Sequence, residues 1–80
     1  MIKKQKTFVK KELTQLLIKS GLEVLSIRNS YSLGYFDVKC VRLTSPVIHF
    51  FRDNKIRISY IGLSQYDDDV VIEVTLSKDY

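Results

Sequence analysis

The stretch Pro46–Ile61, PVIHFFRDNKIRISYI, decides how this chain is read. Two apolar runs, Val47–Phe51 and Ile56–Ile61, flank a polar tip, Arg52-Asp53-Asn54-Lys55. Alternating runs around such a tip predict a β-hairpin. Asp-Asn suits a two-residue turn, because both residue types tolerate positive φ. With Arg52 opposite Lys55, Phe51 faces Ile56, His49 faces Ile58 and Val47 faces Tyr60, all on one side.

Working outward, the preceding segment Tyr35–Leu43 alternates as a strand, with Phe36, Val38 and Cys40 on one face. Thr44-Ser45-Pro46 breaks it, since Pro46 has no N–H for a ladder and belongs at a strand start. A symmetric turn there pairs Cys40 with His49 and Val38 with Phe51. The core expected from these registers is Phe36, Val38, Cys40, Val47, Phe51, Ile56, Ile58 and Tyr60, with His49 among them. Glu23–Arg28 reads as a further strand, joined to Tyr35 by the turn residues 29–34. Gly62–Asp69, GLSQYDDD, reads as a loop, Val70–Leu76 as the last strand and residues 77–80 as a tail.

Upstream, Val9, Leu13, Leu16 and Leu17 fall at helical spacing, which predicts a helix from an N-cap at Thr7 to about Ser20. Gly21 fits the left-handed position that stops a helix, with Leu22 packing back on Leu17. Residues 1–6 form a basic arm. The order α-β-β-β-β-β with short links predicts a single small α+β domain. Its N-terminal helix packs on one face of a roughly five-stranded antiparallel meander.

Eighty residues bury only a thin core. One cysteine excludes an internal disulfide, and one Cys with one His cannot build a four-ligand zinc site. No cofactor or metal is expected. No apolar run matches a signal peptide or the ~20 residues of a membrane helix, so the expectation is an intracellular, cytoplasmic protein with no membrane partner. Net charge is +4 and unevenly spread. Residues 1–57 hold twelve Lys/Arg, whereas residues 58–80 hold Lys78 against Asp67, Asp68, Asp69, Glu73 and Asp79. Such polarity points to a binding surface.

One helix cannot cover both faces of a sheet. The second face would carry Lys39, Val41, Ile48, Phe50, Arg52, Lys55, Arg57, Ser59 and Ile61, with Asp37 opposite Arg52. Apolar and basic side chains mixed in this way suit a protein interface, and also suit nucleic acid, where cations meet phosphates and aromatics stack bases. Cys40 beside His49 could make a thiolate nucleophile, but no orienting group accompanies them, so both are assigned to the core and no catalytic residue is expected. Asp67–Asp69 lacks the ligand spacing of a cation loop and reads as a solvated or docking tip, with Tyr66 as an anchor.

The sequence therefore predicts a non-catalytic accessory or inhibitory protein that docks on a larger macromolecule, one that itself handles nucleic acid. The analogy, in size and charge, is with small inhibitors made by phages and mobile elements. The contact residues expected are Ile48, Phe50, Arg52, Lys55, Arg57, Ile61, Tyr66, Asp67, Asp68 and Asp69. The alternative is direct nucleic-acid binding through Lys3, Lys4, Lys6, Lys10, Lys11, Lys39, Arg52 and Arg57. A homodimer is a third arrangement that the exposed face allows.

Overall fold

The computed structural model describes residues 7–79. The element order is α1 (Lys10–Ser20), β1 (Val24–Asn29), β2 (Phe36–Cys40), α2 (Ser45–Asp53), β3 (Ile56–Tyr66) and β4 (Asp69–Lys78). The fold is α+β, as expected, with a four-stranded sheet ordered β1-β2-β4-β3 in place of the roughly five-stranded meander. Every neighbouring pair of strands is antiparallel. The basic arm at 1–6, with Lys3, Lys4 and Lys6, lies outside the described residues.

The decisive stretch is half helix. Ser45–Asp53, which contains the segment assigned to the hairpin's first arm, forms α2. Pro46 stands in the first turn, where its fixed φ suits a helix and its missing N–H costs nothing. Val47 and Phe51, four residues apart, share one face and are buried, Phe51 almost completely. An apolar side chain of that size contributes about 2–3 kcal/mol on burial. Asn54, expected in a hairpin turn, instead caps the helix. Its backbone N–H donates to the Phe50 carbonyl at 3.0 Å and its side-chain Nδ2 to the same oxygen at 2.9 Å. Lys55, at φ 58°, then turns the chain into β3.

The true hairpin lies further on. β3 and β4 pair from Ile56↔Lys78 to Tyr66↔Asp69. The reversal is made by Asp67 and Asp68, at φ 48° and 68°. Two successive positive φ values define the two-residue turn whose twist matches a hairpin, and Asp is among the side chains that tolerate it. The segment expected to be a loop is thus strand and turn.

The first helix follows expectation more closely. It begins at Lys10 with Val9 at the cap, two residues later than Thr7 implied. It ends at Gly21, which is left-handed at φ 80° and whose N–H donates to the Ile18 carbonyl at 3.3 Å. Ser20 Oγ accepts the Leu22 N–H, and Leu22 is buried.

Both helices cover one face of the sheet. Phe36, Val38 and Cys40 of β2 stand opposite Leu76, Val74 and Ile72 of β4 on that face. With Phe8, Leu13, Leu17, Leu22, Val47, Phe51 and Ile56, most of these form the core. Phe8 meets Phe36 edge to face, with ring centroids 5.6 Å apart. Lys78 and Glu12, 3.5 Å apart, tie β4 to α1.

Two expected core residues are elsewhere. His49 is on the exposed side of α2, so it is not a neighbour of Cys40, which pairs instead with Val24 and Ile72. Tyr60 is exposed on the opposite face of the sheet. The pairing jumps from Ile58↔Leu76 to Tyr60↔Thr75, leaving Ser59 as a bulge. One extra residue flips the side chains that follow, so Ile61, expected outside, returns to the helix side.

Candidate docking surface

β3 is eleven residues long and β4 ten, whereas β1 and β2 have six and five. The far half of the β3–β4 hairpin therefore reaches beyond the helical layer, and the described residues extend over 51 × 27 × 19 Å. On the helix-side face of this arm, Ile61 stands opposite Val74, Leu63 opposite Ile72, and Gln65 opposite Val70. Val74 is buried, but Ile61 is 58% exposed, Leu63 75% and Val70 70%. Three apolar side chains on one face of one hairpin make a patch that the protein's own helices do not cover. The patch runs out at the tip, at the exposed Asp67, Asp68 and Asp69, with Tyr66 on the reverse face of the strand.

The other face of the sheet combines Tyr60, Tyr66 and the buried Val71 with a polar network. Thr75 Oγ1 donates to Asp37 Oδ1 at 2.8 Å. Arg28 lies 3.9 Å from Asp37 and 3.7 Å from Glu73. Lys39 reaches across β4 and donates from Nζ to the Gln65 carbonyl at 2.8 Å, bracing the hairpin arm from behind. Asp37 thus meets Arg28 and Thr75, not Arg52 as the hairpin register implied.

The expected contact residues fall into two groups. Ile61, Tyr66, Asp67, Asp68 and Asp69 are brought together on the hairpin arm. Ile48, Phe50 and Arg52 are on α2 instead of a sheet face, because the segment is helical. Ile48 and Phe50 are half-buried, and Phe50 packs against the core. Arg52 is exposed in the last turn of α2, Lys55 lies in the following turn, and Arg57 opens β3 with its guanidinium 3.4 Å from Asp79. The mixed basic and apolar sheet face is not assembled. Of the alternative nucleic-acid set, Lys10 and Lys11 start α1, Lys39 is on β2, Arg52 on α2 and Arg57 on β3. These cations occupy four different elements.

Leu63 and Val70, the two most exposed members of the apolar patch, were not among the expected contacts. The available signal was the alternation Ile61, Leu63, Gln65, which Gly62 and the aspartates mask.

The chemistry available elsewhere is limited. Cys40 is buried on β2, and burial pushes its thiol above the ordinary value. Among the described residues, no three His, Cys, Asp or Glu side chains are placed to hold a metal ion. Among the described residues, no helix is long and apolar enough to cross a membrane. No known family, curated protein or solved structure matches the chain.

Proposed function

We propose that this chain is a non-catalytic binding protein that docks on a larger protein, one that handles nucleic acid, through the β3–β4 hairpin arm. The observation that carries this reading is the uncovered face of Ile61, Leu63 and Val70 leading directly into Asp67–Asp69. The apolar side chains supply the contact that excludes water, and Tyr66, beside the tip on the reverse face of the strand, adds an amphipathic contact where a partner wraps the end of the arm. The aspartates choose the partner: three carboxylates on a tight turn repel phosphate and attract a basic rim, as in a groove built for nucleic acid. The role expected from the sequence is kept; of the two surfaces expected for it, the acidic segment Asp67–Asp69 is retained and the basic sheet face is replaced by the apolar hairpin arm.

The test uses nuclease-treated lysate and three immobilised proteins: wild type, Asp67→Asn/Asp68→Asn/Asp69→Asn, which keeps side chains that tolerate the left-handed turn, and Val70→Ser. Wild type should capture a protein that, once purified, binds DNA or RNA and releases it when wild-type chain is added. Both variants should stay folded and compete at least about tenfold less well. Equal competition by the variants, or a captured protein indifferent to nucleic acid, refutes the reading. A low-salt gel shift by the chain alone would favour direct nucleic-acid binding instead.

A further inference from the structure

β3 is an outermost strand, and the far part of its outer edge, Tyr60–Tyr66, carries none of the usual protections against pairing. Edge strands are commonly blunted by lysine, proline, inward charge or a bulge. From Ile58 to Tyr66 the strand reads ISYIGLSQY, with no charged residue and no proline. Its one bulge, at Ser59, precedes the regular stretch Tyr60–Tyr66.

We infer that this edge pairs with the same edge of a second copy, joining two four-stranded sheets into one of eight strands. Three observations choose a second copy over another protein. First, the stretch YIGLSQY is close to self-complementary in the antiparallel sense. Centred on Leu63, it sets Tyr60 opposite the second copy's Tyr66, Gly62 opposite Ser64, Ile61 opposite Gln65, and Leu63 opposite Leu63. Aromatic meets aromatic, small meets small, and the most exposed leucine of the patch meets itself.

Second, the ends are complementary in charge. β3 is entered through Lys55 and Arg57 and left through Asp67, Asp68 and Asp69. Antiparallel pairing lays the basic start of each strand beside the acidic end of the other, and a two-fold axis repeats the match at both ends. Parallel pairing would set like charges together.

Third, the axis is normal to the sheet, so both helical layers fall on the same side at opposite ends. Each copy's α2 then lies alongside the apolar far half of the other's hairpin. Ile61, Leu63 and Val70 from both copies floor a trough between the two helical layers, with aspartates at each end. The dimer thereby doubles the surface proposed above, while resting on the strand's edge instead of its face.

Sedimentation equilibrium of the purified chain at rising concentration tests this. Wild type should approach twice its 9.3 kDa mass. Leu63→Lys puts like charges directly opposite on the axis and should raise the dissociation constant by about tenfold or more. Leu63 is well exposed, so the variant should keep the wild-type circular dichroism. Register is tested separately by oxidising Leu63→Cys and Val70→Cys proteins. A cysteine at 63 faces its twin at a spacing that a disulfide can bridge, whereas 70 lies one strand inward. Rapid covalent dimer from the first and little from the second is expected. A wild type that stays monomeric, or equal cross-linking at both positions, overturns the inference. The mass measurement needs no partner, so its failure leaves the docking reading standing.

Discussion

The ring of Tyr60 occupies the space that a side chain at residue 62 would need. A Cβ added to Gly62 would collide with the Tyr60 hydroxyl and ring. A strand glycine has no side chain to pack, and an aromatic neighbour laid over it restores the lost contact. Tyr60 is half-exposed, so it can swing away. Gly62→Ala should therefore change stability by no more than about 1 kcal/mol, because alanine's better strand preference offsets the displaced ring. Tyrosine ring resonances should shift while the denaturation midpoint barely moves. A loss of several kcal/mol would show that the ring is held where it is.

The same pair explains part of what the sequence conceals. Gly62 and three aspartates make residues 62–69 look like a loop, yet Tyr60 over Gly62 and the positive φ of Asp67 and Asp68 let them continue a strand and turn it. By contrast, the alternation of Phe36, Val38 and Cys40, the Leu13–Leu17 stripe and the Gly21 stop are set by short-range rules and are legible directly. The segment Val47–Phe51 is ambiguous in principle: Val47, Ile48, Phe50 and Phe51 satisfy a buried helix as well as a strand. Pro46 just after Thr44 and Ser45 was the available helix-start signal. Of the docking surface, Tyr66 and the aspartates could be seen from composition. Leu63 belongs to the masked alternation Ile61, Leu63, Gln65, but its exposure and that of Val70 follow from how far the helices reach, which no local pattern encodes.

The tip turn offers a separation of stability from binding. Asp67 and Asp68 both adopt left-handed backbone, which costs a side-chain-bearing residue about 1 kcal/mol. Asn-Gly is the pair best suited to this turn. Asp67→Asn/Asp68→Gly should raise the melting temperature, equivalent to about 0.5–1 kcal/mol, while removing two tip charges and weakening partner capture. A thermal melt and a pull-down on one preparation check both. A variant that is less stable would contradict the turn assignment.

Phe51 and His49 distinguish a helix from the hairpin arm that the sequence suggested. In an extended strand they would share a face. On α2 Phe51 is buried and His49 exposed. Phe51→Ala should cost about 3–5 kcal/mol, a large part of the stability of a domain this small, and His49→Ala less than about 0.5 kcal/mol. Urea denaturation of the two variants measures the difference. Comparable losses at both positions would favour the extended reading.

Cys40 gives the stability a pH dependence whose sign can be worked out. Its side chain is fully enclosed, and burial raises its pKa above the ordinary 9.0. As pH rises through that value, the unfolded chain gives up its thiol proton while the folded chain keeps it. The folded state then binds more protons, so stability falls with a slope of at most about 1.4 kcal/mol per pH unit. The contribution is fully present below pH 9.0 and is lost above it. Lysines and tyrosines titrate in the same alkaline range, so the comparison must be with Cys40→Ala. That variant should be less stable than wild type at neutral pH, by roughly 1 kcal/mol for the atom removed. The gap should narrow in urea titrations repeated from about pH 8 to about pH 10, since only the wild type loses this term. A gap that stays constant across that range would show that the thiol ionises as easily inside the sheet as in the unfolded chain, and that the β2–β4 core at Cys40 admits water.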